Sequence, residues 1–291
     1  MGLDYPRDTL MEITDQHASF GGSQRFYAHD SRVIGLPMRF SVYLPPRALQ
    51  GHKVPVLFYL AGLTCTEETF PAKGGAQRIA AKANLALVAP DTSPRGAKAP
   101  GESDAWDFGV GAGWYLDAAM EPWKRHWRME SYLIEELLPL LAEKLPVDIA
   151  RAGIFGHSMG GHGALTLALR HPGAFRSVSA FAPVAAPIQS PWGVKAFGGY
   201  LGEDREMWRA HDASELMASQ PTAPYPNGIL VDQGLDDKFL AAQLKPEAFE
   251  AACLKAGQPL TLRRHAGYDH GYYFISTFMA DHLRHHARQL G

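Results

Sequence analysis

Two cysteines in 291 residues are too few for a disulfide framework, and neither Cys65 nor Cys253 has a zinc-type partner at the right spacing. Both are expected as free thiols, and no metal site or cofactor is expected. Excess charge of one sign is also missing. The formal net charge is −2, so there is no basic field to draw in nucleic acid. No uninterrupted apolar run approaches the ~18 residues that span a bilayer, so no membrane partner is expected. The stretch Met1 to Ile13 carries Asp4, Arg7, Asp8 and Glu12 without an apolar centre and does not read as a secretory signal. Pro6 also stands where myristoylation needs a hydroxyl residue. Cytoplasmic residence is the expectation. Internal repeats and low-complexity tracts are absent.

Hydrophobic residues are plentiful, at 46%, which is enough to fill one large core; a single domain over residues 1–291 is expected. Alternating segments between Gly22 and Leu44, such as Arg25 to Ala28 and Arg39 to Tyr43, read as antiparallel strands at a sheet edge. Strand and helix patterns then take turns. Val54 to Leu60, Leu85 to Ala89, Ala152 to Phe155, Ser177 to Phe181, Ile229 to Val231 and Leu260 to Arg263 read as strands. Gly75 to Ala83, Glu130 to Leu145, Met159 to Arg170, Lys245 to Lys255 and Tyr272 to Gln289 read as helices. This order implies an α/β fold, a mainly parallel central sheet with helices on both faces. Pro90 to Pro122 and Pro183 to Tyr225 break the alternation and are expected as irregular loops shaping a pocket beyond the carboxyl ends of the strands.

The chemistry begins at Gly156-His157-Ser158-Met159-Gly160, a GxSxG pentapeptide between an apolar strand and a helix. A serine at such a sharp turn takes a strained backbone conformation, and the flanking glycines leave room for the crossing chain. Ser158 is the candidate nucleophile, and the N–H of Met159 is one candidate oxyanion donor. Its base needs a carboxylate to orient it. Asp232, Asp236 and Asp237 follow the strand Ile229 to Val231. The two beyond Gly234 are better placed to swing toward the site, and Asp237 is preferred over Asp236. His270, in the loop after the last strand, fits the base, with His265 as the alternative. The loop after Val54 to Leu60 carries Gly62, which permits a turn that aims the Leu63 N–H at the site as second oxyanion donor.

Together Gly62 to Glu67, Asp91 to Gly96, Gly156 to Ala164, Pro191 to Phe197, Asp232 to Leu240 and Gly267 to Phe274 resemble the S-formylglutathione hydrolases of the esterase D family. The resemblance implies an α/β-hydrolase fold and a thioesterase that splits S-formylglutathione, a small-molecule thioester, with looser activity on short esters. It implies Ser158, Asp237 and His270 as the triad, Leu63 and Met159 in the oxyanion hole, and a homodimer. Cys65 matches a family cysteine beside the substrate entry. Trp192 is then expected to wall a narrow acyl pocket, and Lys195 to meet a glutathione carboxylate. The rival readings are a general short-acyl carboxylesterase or acyltransferase, and a non-catalytic binding protein, whose mark would be a missing triad member. Gly109 to Gly113 resembles a dinucleotide loop, but Trp114 stands where the third glycine belongs; it is expected as an active-site loop. His282, His285 and His286 are expected on a solvated helix face, and His162 as a hydrogen-bonded core residue.

Overall fold

A computed structural model describes residues 11–291. The reading of residues 1–10 as lacking a secretory or lipid signal lies outside the described residues. Among the described residues nine strands form one sheet: β1 (Met11–Ser19), β2 (Gly22–Asp30), β3 (Pro37–Leu44), β4 (Val54–Leu60), β5 (Ala86–Pro90), β6 (Val147–His157), β7 (Ser177–Phe181), β8 (Ile229–Gly234) and β9 (Leu260–His265). Their spatial order is β1-β2-β3-β5-β4-β6-β7-β8-β9. Pairing is antiparallel from β1 through β3 to β5 and parallel across the rest. The sequence reading lacked β1. Nearly all its side chains are exposed on both faces, so it shows none of the alternation that marks a half-buried strand.

Every residue of β4, β5 and β7 is buried, which is the near-continuous apolar run that parallel strands covered on both faces require. The helices Gln77–Ala83 and Tyr272–Leu290 pack together on one face of the sheet, and Met159–Arg170 packs with Ala213–Ala218 on the other. The helix expected over Glu130 to Leu145 runs from Met129 to Lys144, but its middle turn, Tyr132–Leu137, is π-wound. Pro139 follows directly; it has no N–H to donate and its ring crowds the carbonyl four residues back, so the widened turn absorbs the misfit.

Two expectations need correcting. Pro183 to Tyr225 is not irregular: it holds the helices Pro191–Leu201, Arg205–Arg209 and Ala213–Ala218. Ser190, Asp204 and Asp212 cap them by accepting hydrogen bonds from backbone N–H groups of the first turns. Burial of Trp192, Phe197 and Tyr200 outweighs the poor helix propensity of a stretch holding Gly193, Gly198 and Gly199. Secondly, His282, His285 and His286 are buried, not solvated. One tautomer assignment satisfies a continuous chain. Ser177 donates to His286 Nδ1 (2.6 Å), His286 Nε2–H to Ser179 Oγ (2.8 Å), Ser179 to His282 Nδ1 (2.8 Å), and His282 Nε2–H to Asp232 (3.2 Å). Polar side chains on buried strands thus give the histidine stripe the partners that water would otherwise supply.

Among the described residues no helix is long and apolar enough to cross a membrane.

Candidate active site

β6 ends at His157 and the helix Met159–Arg170 begins two residues later, leaving Ser158 alone at the corner with φ 58° and ψ −120°. Such a positive φ is strained for a residue with a Cβ. The corner is tight enough to demand both glycines. A Cβ on Gly156 would stand 2.2 Å from the Gly160 carbonyl oxygen, and one on Gly160 only 1.9 Å from that of Leu60. The Ser158 N–H donates to Phe181 O (3.0 Å), and its carbonyl accepts from His162 (3.0 Å) and Val184 (3.2 Å), so the strained residue is held from three sides.

His270 lies in the turn before the helix Tyr272–Leu290. Its Nε2 is 2.9 Å from Ser158 Oγ, and its Nδ1 is 2.5 Å from Asp237 Oδ2. The Asp237 carboxylate has no exposed surface; Oδ1 accepts from the Phe239 N–H (2.8 Å) and Oδ2 from Gln233 Nε2 (3.3 Å). With its carboxylate so anchored, Nδ1–H faces Asp237 and the Nε2 lone pair faces the serine hydroxyl. This arrangement can draw a proton off Ser158. Asp236 is exposed, and its backbone N–H donates to Tyr268 O. Asp232, within β8, is buried and bonded to Arg263, His265 and His282. Burial works to raise its pKa, but hydrogen bonds from His282 and Arg263 outweigh that and hold the carboxyl well below the usual range. His265 is occupied there, stacked on Phe278 at 3.8 Å, and is not in the lining of the cavity that includes Ser158.

The loop after β4 lies directly on this corner, since a Cβ on Gly62 would be 3.2 Å from both Ser158 Cβ and His157 Nδ1. That contact sets Leu63 in the lining of the cavity that includes Ser158. A cavity of about 140 Å³ opens in front of Ser158 and His270. Gly62, Leu63, Cys65, Trp106, Trp192, Phe239 and Tyr272 are in its lining. A larger groove, about 540 Å³, lies at the far end of the helix Met159–Arg170 and includes none of these groups. Among the described residues no cluster of three or more His, Cys, Asp or Glu side chains could hold a metal.

The residues 31–285 match the esterase family model ("Putative esterase"). An S-formylglutathione hydrolase of Mus musculus is 53% identical over 272 residues, covering 93% of this chain and 95% of that protein. The chain belongs to the S-formylglutathione hydrolase family. A relative of that name from Paracoccus denitrificans is 50% identical over 280 residues, 96% of this chain and 98% of that one. A solved S-formylglutathione hydrolase from Agrobacterium tumefaciens superposes with a TM-score of 0.93 at 48% identity, covering 97% of this chain and all of that one.

The segments that carry the family likeness brace one another around the Gly62 loop. The Thr64 N–H donates to Gly111 O (2.8 Å), and the Gly111 N–H donates to Ser93 Oγ (2.7 Å). Thr92 Oγ1 (2.6 Å) and Arg95 Nη2 (3.3 Å) both donate to the Cys65 carbonyl. The glycine-rich stretch Gly109 to Gly113 therefore serves as a strut of the site, in line with its expected place. Cys65 stands in the pocket wall; burial pushes its thiol up, only partly offset by hydrogen bonds from Thr69 and Tyr272, so it stays a thiol. Trp192 is also in the wall, its backbone N–H donating to Gln243 Oε1 (3.0 Å). Lys195 is outside the cavity lining and is ion-paired with Asp107.

Four pocket groups escaped the sequence reading: His157, Trp106, Phe239 and Tyr272. Phe239 meets His270 edge-on (5.0 Å, 78°), and the His157 ring lies 4.4 Å from the same ring. Burial, then the nearness of His270, pushes the His157 pKa well below its usual value, so it backs the site as a neutral ring. His157, Phe239 and Tyr272 each lie within two residues of Ser158, Asp237 or His270, and that adjacency was the available signal; Trp106 is adjacent to none of them. His162 is in the core as expected, edge-on to Trp114, but its Nδ1 has no partner among the described residues and burial pushes its pKa down to about 3.

Proposed function

We propose that this chain is a serine thioesterase that cleaves S-formylglutathione to formate and glutathione, the step that completes formaldehyde detoxification. One observation carries the reading: a single hydrogen-bond chain links Asp237, His270 and Ser158 in a protein half identical to S-formylglutathione hydrolases. His270 Nε2 takes the Ser158 proton as Oγ attacks the formyl carbon, and Asp237 stabilises the imidazolium that results. The N–H groups of Leu63 and Met159 receive the oxyanion, each worth about 3 kcal/mol of barrier. The C–S bond breaks as His270 returns its proton to the glutathione sulfur. Water, giving a proton to His270, then attacks formyl-Ser158 and releases formate with the serine hydroxyl restored. No cofactor enters these steps.

Cys65 and Trp192 serve as pocket walls, and a cavity near 140 Å³ favours a very small acyl group. The triad does not read the leaving group, so weaker carboxylesterase activity on short esters accompanies the main one. We place the enzyme as one domain, supported by the unbroken sheet, and in the cytoplasm, supported by two unpaired cysteines. A homodimer is the expected assembly, which light scattering reads as the mass of two chains.

Comparing kcat/KM for S-formylglutathione with that for aryl acetates and butyrates tests the substrate. The formyl thioester is expected to lead by orders of magnitude. Ser158→Ala is expected to lower kcat by about 10⁴–10⁶. Hydrolysis unaffected by that substitution would refute catalysis by this site.

A further inference from the structure

Trp106 combines two properties that rarely go together: its side chain lines the cavity, yet the residue is 55% exposed. It sits with Asp107 at the tip of a tight turn closed by the Ala105–Phe108 bridge. The turn is held along one face of the helix Pro191–Leu201. Trp106 meets Trp192 edge-on (5.5 Å, 87°), Asp107 pairs with Lys195, and Phe108 stacks on Tyr200 (4.4 Å, 23°). Positions 192, 195 and 199 are three and four apart, the spacing of one helix face. Gly199 completes that stripe, because a Cβ there would stand 2.3 Å from the Phe108 ring. At the base of the turn the Gly109 N–H donates to Tyr200 Oη (2.8 Å), and Trp127 Nε1–H donates to Gly109 O (3.2 Å). The indole is thus fixed in place before any substrate arrives.

We propose that Trp106 determines specificity for the leaving group, its indole forming the platform on which the peptide part of the thiol lies, with the Asp107–Lys195 pair positioning it. The proposal rests on the thioesterase reading of the site. The cavity is smaller than the roughly 300 Å³ at which pockets begin to enclose a whole ligand, so a tripeptide thiol must extend past its mouth. Trp192, only 8% exposed, bounds the enclosed part, where the small acyl group belongs. Trp106 bounds the open part. An exposed, immobilised tryptophan gains little from burial in the free protein and offers a large flat contact to an arriving ligand. Lys195, expected as a partner for a glutathione carboxylate, already has the largely buried Asp107 carboxylate and acts through the turn it anchors.

Steady-state kinetics on S-formylglutathione and methyl formate, which share the acyl group and differ in the leaving group, test this. Trp106→Ala is expected to lower kcat/KM for S-formylglutathione about tenfold relative to methyl formate, through KM with little change in kcat. Trp106→Phe is expected to recover most of the loss. Asp107→Asn and Lys195→Met are each expected to show part of it, and the double variant no more than the worse single one. Retained selectivity in both Trp106 variants, checked as folded by circular dichroism, overturns the proposal; so does an equal fall on both substrates. A wild-type enzyme with no preference for S-formylglutathione overturns the thioesterase reading and this proposal with it.

Discussion

In the proposed mechanism Ser158 becomes a nucleophile only while the His270 Nε2 lone pair faces it, and the Asp237 carboxylate fixes that tautomer from behind. Asp237→Asn replaces an acceptor with an amide that can turn its N–H toward Nδ1, favouring the wrong tautomer; kcat is expected to fall about 10⁴-fold. Asp236→Asn changes a side chain exposed to water on the outside of the same turn, and kcat is expected to stay within about threefold. The pair of rates separates two aspartates that spacing alone cannot. The meeting of Ser158 and His270 was legible in the sequence because motif and chain order bring them together with little reference to packing. Asp236 and Asp237 differ in burial, a property of how the turn folds back onto Gln233. Trp106 was invisible for a related reason: an aromatic in a turn far from the motifs carries no mark of which cavity it will face.

At the scale of elements, the site depends on a layer beneath it. Phe181 O accepts the Ser158 N–H, the Phe181 ring stacks on His282 at 3.7 Å, and the Ala182 N–H donates to Asp232 O (2.8 Å). The helix Tyr272–Leu290, β7, β8 and β9 therefore meet at Asp232, whose carboxylate Arg263 grips through both Nε (2.6 Å) and Nη2 (2.5 Å). Removing the guanidinium leaves a fully buried carboxylate with only two histidines. Arg263→Met is expected to destabilise the fold by about 3 kcal/mol, and adding Asp232→Asn to restore part of that, because the uncompensated charge is gone. Urea denaturation of Arg263→Met, Asp232→Asn and the double variant measures both. A double variant as unstable as the sum of its single changes would show that the pair is not coupled. The helix Met159–Arg170 was legible from its small and apolar residues after the GxSxG turn, and it is buried on all sides through Leu169. The closing helix was legible in extent but not in orientation, because histidine on a buried face reads the same as histidine in water until Ser177, Ser179 and Asp232 are brought opposite. The helix Pro191–Leu201 was hidden by its glycines, although Ser190 and Pro191 are a start signal.

For the molecule as a whole, buried histidines set the response to acid. Burial, as the largest cause, lowers the pKa of His29, His157, His162, His282, His285 and His286, with His285 at about 4 and His162 at about 3. In the unfolded chain each takes up a proton near pH 6.5. Between that value and about pH 4 the unfolded state therefore binds more protons than the folded one, and stability falls as pH falls. Two carboxyls oppose this: burial raises Asp212 to about 6 and also raises Glu67, so the folded state takes up their protons first and gains stability on acidification. Six groups outweigh two. Each uncompensated proton is worth about 1.4 kcal/mol per pH unit, so a net uptake of even two or three removes about 3–4 kcal/mol per unit from a total of ~5–15 kcal/mol. Calorimetric Tm is expected to be level above pH 7 and to drop steeply from pH 6.5 to 5, with unfolding at pH 5.5 taking up at least two protons. A Tm that holds constant down to pH 5 would mean that these rings ionise inside the folded protein, and that the His282–Ser179–His286 chain opens to water without loss of the fold.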